Sequence, residues 1–197
     1  MKTIFLASAS PRRLALLRQI GVEPIVLPSS FTEDLHLVGD PVRLATMYAE
    51  KKVRGALPLP CLGVCIGADT VVHWRGRLLG KPQTQEQAVE MLATLSGQFH
   101  EVVTGVTVMQ SATKYLVAHA CTHVEFRELS LAEIRRYVAT GEPMDKAGGY
   151  AIQGAAAVFV RGIMGCYSNV VGLPLSLLYG MLQELGVEMM GDWGRQE

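Results

Sequence analysis

Two long apolar stretches in the middle of the chain, Glu101 to Met109 and Tyr115 to Phe126, are joined by a short polar turn. So short a link makes the two strands antiparallel, because parallel strands need a crossover of a dozen residues or more. Towards the N-terminus the pattern differs. Lys2 to Ser8 reads as a buried strand, and Ser10-Pro11 then opens a helix, with Ser as N-cap and Pro in the first helical position. Leu14, Leu17 and Ile20 recur at helical spacing until Gly21, and Pro24 to Pro28 can form a second short strand. A polar loop, Ser29 to Gly39, leads to Asp40-Pro41, which repeats the cap-plus-proline signal for a helix to about Gly55. Alternating strands and helices followed by antiparallel pairs predict an α/β or α+β domain with a mixed sheet, not a doubly wound parallel one.

The remaining elements follow from local signals. Leu62 to Val72 is a buried strand and Arg75-Gly76 a hairpin turn. Thr84 with Gln87, and Ser130 with Glu133, are capping-box patterns for helices ending near Gly97 and Thr140. Glu142 to Gly154 is glycine-rich and irregular; Val158 to Met164 is a late strand and Pro174 to Leu185 a last amphipathic helix.

Composition narrows the function. With 197 residues and 49% hydrophobic content the chain can bury a sizeable core as a single domain over residues 1–197. Lys plus Arg and Asp plus Glu both total 18, so nothing marks a nucleic-acid binder, and an anionic ligand needs a local cluster of cations. No apolar run reaches the roughly 18 residues of a membrane span, and Thr3 to Ala9 is too short and too soon interrupted by Pro11-Arg12-Arg13 for a signal core. Cys61, Cys65, Cys121 and Cys166 form no C-x-x-C pair and read as small buried hydrophobes in a reducing compartment, which places the chain in the cytoplasm.

Four segments carry chemistry. Ser8-Ala9-Ser10-Pro11-Arg12-Arg13 lies between a strand and a helix start, where free backbone N–H groups, hydroxyls and guanidinium groups suit phosphate. Two arginines at a helix N-terminus oppose the macrodipole, so an anion is expected there. Gly67-Ala68-Asp69-Thr70 places an aspartate beside small residues, either as a general base or metal ligand or as a turn aspartate capping its own backbone. Lys81 before Pro82, and Lys51, could meet phosphate or be plain surface lysines. In Asp145 to Gly154, Gln153 can donate and accept as base reading requires; the plain alternative is a structural turn. His119, Cys121 and His123 share one strand face, but a fourth zinc ligand is not evident.

Together these segments resemble the Maf family of nucleotide pyrophosphatases, from Leu6 to Leu178 and in order: LASASPRR, Glu50-Lys51, GADT, GKP, LSG with HEVVTGV, GEPMDKAGGYAIQG and NVVGLPL. The resemblance implies two lobes around a curved mixed sheet flanked by helices, with a central cleft. It implies a small-molecule nucleoside triphosphate as substrate, cleavage between its α- and β-phosphates, and a divalent cation, Mg²⁺ or Mn²⁺. On this resemblance Asp69 is the proton acceptor, Ser8, Arg13, Lys51 and Lys81 surround the phosphates, and Glu33 and Asp69 face the metal, with Asp34 leaving the acidic register open by one residue. Arg12, Thr70 and Gln153 resemble the branch acting on dTTP and UTP, as does the Asp145-Lys146 pair. Relatives are commonly homodimers. A nucleotide-binding regulator of cell division with negligible turnover is the competing expectation.

Overall fold

Among the described residues, seven strands share one sheet in the order β2-β1-β3-β5-β6-β7, with β4 pairing on β3. The computed structural model describes residues 2–31, 39–59 and 61–188. The strands are β1 (Thr3–Leu6), β2 (Ile25–Val26), β3 (Gly63–Trp74), β4 (Arg77–Leu79), β5 (Phe99–Met109), β6 (Tyr115–Phe126) and β7 (Val160–Met164). The helices are α1 (Pro11–Gln19), α2 (Pro41–Arg54), α3 (Gln85–Leu95), α4 (Leu131–Val138), α5 (Tyr167–Val171) and α6 (Leu175–Glu184). β1 runs parallel to β2 and β3, and the other pairings are antiparallel, so the sheet is mixed as the sequence pattern predicts.

Side-chain alternation along β3 and β5 sends their residues to two differently built faces. On one face α2 lies flat on the strands, packing Leu44, Ala45 and Tyr48 on Val71 and Val103, and Val53 on Cys65 and Met109. The approach is close because two strand positions lack a side chain. A Cβ on Gly67 would sit 2.6 Å from the Ala49 carbonyl oxygen, and one on Gly105 would collide with the backbone of Ala45.

The opposite face carries two cores. Val64, Ile66, Ala68, Val106 and Val108 pack under α1 and α6 through Leu16, Leu17, Leu178 and Leu182. Val72, Val102, Val124 and Phe126 pack under α3 and α4 through Leu92, Leu95, Ile134 and Val138. Between them Thr70, Thr104 and Thr122 interrupt the apolar surface, and Asn169 of α5 closes over them. These cores make the two lobes, and the break between them opens as a cleft.

Local details correct several expectations. Ser10 is the N-cap of α1 by position, yet its side chain makes no cap bond; its N–H instead donates to Ser8 Oγ, 3.2 Å, which draws it into the phosphate-type loop. Thr84 accepts from the Gln87 N–H, but Gln87 Oε1 turns to the Gln83 N–H, so the box is not closed. Ser130 and Glu133 do close theirs; the Arg127 hydrogen bond, then those of Ser130, hold the Glu133 carboxyl at about 2. Of the four cysteines, all free, only Cys65 is buried; Cys121 is exposed on β6 and Cys61 is exposed before β3. The segment 142–159 contains three short 3₁₀ turns, Glu142–Asp145, Ala147–Gly149 and Ala155–Phe159, with irregular chain between them.

Candidate active site

The cleft opens at a gap in the edge of the sheet. β1 accompanies β3 only to Leu6 opposite Ile66, and β4, running the other way, reaches back along β3 only to Val72, opposite its last residue Leu79. Along the edge between them, Gly67 to Val71 has no strand partner among the described residues. The chain leaving β1 supplies Ser8 at one side of the gap. Because β4 is antiparallel to β3, the chain leaving it heads back towards the gap and supplies Lys81 at the other side. Asp69 and Thr70 point to opposite faces of β3, yet both line the cleft, since an open edge gives access to both faces.

Its volume is about 450 Å³, within the range of small-molecule sites. Among the described residues five cations line it, Arg12, Arg13, Lys52, Lys81 and Lys146, against the carboxylates of Asp69 and Asp145. The excess of positive charge suits a polyphosphate. Val72, Val102, Ile152, Val170 and the ring of Tyr150 form an apolar stretch of the same wall.

Asp69 is only 5% exposed, and Lys52 Nζ donates to its Oδ1 at 2.5 Å. The Gly67 and Gly105 contacts that lower α2 onto the sheet bring that lysine within reach. The sequence reading points to Lys51; in the structure it is the neighbouring Lys52 that lines the cleft and reaches Asp69. Lys51 is exposed and lies over the Phe31 ring, 5.5 Å from its centre, outside the cleft lining. One residue along a helix is a rotation of about 100°, and Lys52 is the one turned to the sheet.

Arg13, 8% exposed, is held from three directions: its Nε donates to the Gly172 carbonyl at 2.8 Å, and its terminal nitrogens donate to Ser8 Oγ at 3.1 Å and Thr70 Oγ1 at 3.2 Å. Arg12 lies 3.8 Å from Asp145, across the cleft from it. Burial alone would raise the Asp145 carboxyl, but the hydrogen bond from Lys146 and the charges of Lys146 and Arg12 hold it below its ordinary value. Gln153 is exposed on the same wall. Its loop is tied down by Glu142, which accepts from Tyr137 Oη at 2.9 Å and from the Ala155 N–H at 3.2 Å. Behind the wall His100, 2% exposed, meets Tyr150 Oη at 2.8 Å; burial lowers the imidazole to about 4, so it is neutral.

The structure thus brings Ser8, Arg12, Arg13, Asp69, Thr70, Lys81 and Gln153 to one cleft. Glu33 and Asp34 lie outside the described residues. Lys52, Thr104 and Asn169 were not singled out in the sequence; threonines at core-facing positions of valine-rich strands were the available signal. His119, Cys121 and His123 lie on β6 opposite Gly105, Val103 and Glu101 of β5, on the sheet face that carries α2 and outside the cleft lining, and His123 Nε2 lies 3.3 Å from Glu101. Among the described residues no helix is long and apolar enough to cross a membrane.

The chain is similar to known proteins over nearly its whole length. The chain is 46% identical over 191 residues to a dTTP/UTP pyrophosphatase of Desulforamulus reducens, covering 96% of this chain and 100% of that protein. It is 47% identical over 191 residues to a dTTP/UTP pyrophosphatase of Pelotomaculum thermopropionicum, with the same coverage. Among solved structures, the Ham1 protein of Staphylococcus aureus shares the fold, with a TM-score of 0.50 at 14% identity over 93% of this chain and 100% of that one. The family described as Maf-like protein matches residues 3–185, and on this match and these identities the chain belongs to the Maf family.

Proposed function

We propose that the chain hydrolyses dTTP and UTP to the nucleoside monophosphate and pyrophosphate. The observation that carries this reading is the convergence of five cationic side chains on one cleft around the Asp69 carboxylate; the names of the relatives supply the substrates. A triphosphate carries about four negative charges, and Arg12, Arg13, Lys52 and Lys81 would offset them and orient the α-phosphorus. Water attacks that phosphorus, its oxygen bonds to it, and the bond to the α,β-bridging oxygen breaks. The bridging oxygen leaves with pyrophosphate. The proton lost by water goes to Asp69, whose carboxylate Lys52 holds in place. Arg12 and Gln153 face the base, beside the apolar wall of Val72, Val102 and Tyr150.

A divalent cation belongs to the same reading. Among the described residues no three His, Cys, Asp or Glu groups are placed to hold a metal, so a site ligated wholly by these residues is not expected. Mg²⁺ or Mn²⁺ still fits, because Mg²⁺ takes oxygen ligands, keeps several waters and needs only one or two carboxylates beside substrate phosphates. Asp69 would hold it, and bound there it would supply further charge neutralisation to the phosphates. Pyrophosphate release is to be followed for a panel of nucleoside triphosphates with and without Mg²⁺. Release from dTTP and UTP, lost with EDTA, is expected. No release from any of them would return the chain to a nucleotide-binding regulator.

A further inference from the structure

The hydrogen bonds that cross the sheet between the two cores have a fixed direction. Thr104 Oγ1 donates to the Asn169 carbonyl oxygen at 3.1 Å, and a carbonyl can only accept. That uses the single hydroxyl proton of Thr104. In the 2.9 Å bond between the two hydroxyls, Thr70 is therefore the donor. Thr70 also accepts from Arg13 at 3.2 Å. With its proton turned inward, Thr70 offers the cleft one lone pair and a methyl group. A phosphate oxygen or a base carbonyl needs a donor, and Thr70 has none to give; among base groups only a ring N–H, which thymine and uracil have and cytosine lacks, can use its remaining lone pair.

The inner end of the relay is locked. Asn169 Nδ2 donates to the Val102 carbonyl and to Thr122 Oγ1, both at 2.9 Å, and Thr122 donates to the Cys166 carbonyl at 3.2 Å. Thr104, Thr122 and Asn169 are all 0% exposed, so water is not at hand to reverse the direction.

We infer that Thr104 is a positioning residue for the reaction: anchored on Asn169, it fixes Thr70 as an acceptor for Arg13, and the pair holds the Arg13 guanidinium towards the phosphates instead of reading the base. This deepens the proposed function and rests on its assignment of Arg13 to the polyphosphate. It gives Thr70 a role different from the base selection that the family resemblance suggests.

The test is Thr104→Val, which removes the hydroxyl and keeps the shape, read with inorganic tripolyphosphate as a base-free inhibitor in the presence of Mg²⁺. The inhibition constant for tripolyphosphate and the KM values for dTTP, UTP and CTP should rise by a common factor of about three to ten, the range of one hydrogen bond. The preference for dTTP over CTP should not move, and Thr104→Ser should restore all of these values. An inhibition constant does not depend on the fraction of enzyme folded, so simple destabilisation cannot imitate the result. Should Thr104→Val not fold, Thr70→Val carries the same expectation. Either a shifted dTTP-to-CTP preference with unchanged tripolyphosphate inhibition, or no change in any constant, would overturn the inference. If the wild-type chain cleaves neither dTTP nor UTP, the proposed function fails separately, and calorimetric binding of tripolyphosphate still reads the effect of Thr104.

Discussion

Asp69 and Thr70 are neighbours in sequence, but the two faces of β3 they point to hold polar groups by different means. On the α2 face a carboxylate is paired with an ammonium at 2.5 Å, and a helix pressed onto two glycines keeps the partners together. On the other face the Arg13 guanidinium sits at the cleft end, and the groups buried deeper between the cores are neutral: the hydroxyls of Thr104 and Thr122, the Asn169 amide and, behind the cleft wall, an uncharged imidazole. Charge is kept where the reading of the site needs a proton acceptor, and neutral relays serve where only orientation is needed. A buried ion pair carries a desolvation cost of several kcal/mol per ion, so a face that only positions its partners gains by avoiding charge.

The largest effect should come from breaking the charged face. Asp69→Asn should lower turnover on dTTP at least ~100-fold with thermal unfolding still cooperative. Near-normal turnover would move the proton acceptor elsewhere and end the contrast. The neutral face is tested by pH. The His100 imidazole titrates at about 4 in the folded chain, from an ordinary 6.5, because it is buried. A histidine lowered by folding binds its proton more readily when unfolded, so its contribution is full above about 6.5 and lost as pH falls towards 4. Between pH 7 and pH 5 the loss should be about 2 kcal/mol. Denaturant unfolding of the wild type and of His100→Phe at both pH values measures it. An equal loss in both proteins would mean that the imidazole does not titrate as its burial implies. The smallest effect sharpens the charged face by one residue. Lys52→Met should reduce kcat/KM about tenfold or more, as loss of a charged hydrogen bond does. Lys51→Met should stay within about twofold, as exposed substitutions do. Equal effects would put both lysines on the site.

How far the sequence reaches is clear from these same positions. Asp69 was legible because an aspartate among small residues within a valine-rich strand stands out. Lys52 was not, since Glu50-Lys51-Lys52 offers two adjacent lysines and only the rotational setting of α2 separates them. That setting comes from Gly67 and Gly105, 38 positions apart in sequence and in contact with one helix. The cap-plus-proline signals located α1 and α2 to within a residue or two, because a proline at the first helical turn is a local effect. The α5 helix escaped notice, being five residues long with no side-chain cap. The relay through Thr104 and Asn169 escaped for another reason: its bonds join positions 65 residues apart, and nothing local records such a meeting.

The stretch of β3 edge left unpaired between Leu6 and Leu79 has a consequence for insertions and deletions. Two more residues of regular strand at the end of β1, or a β4 continued past Leu79, would zip the backbone shut across Ala68 and Thr70. Every side chain of the site could then survive unchanged while the substrate lost its way in. In this chain the lengths of two short strands are therefore as much a determinant of activity as the identity of any catalytic group.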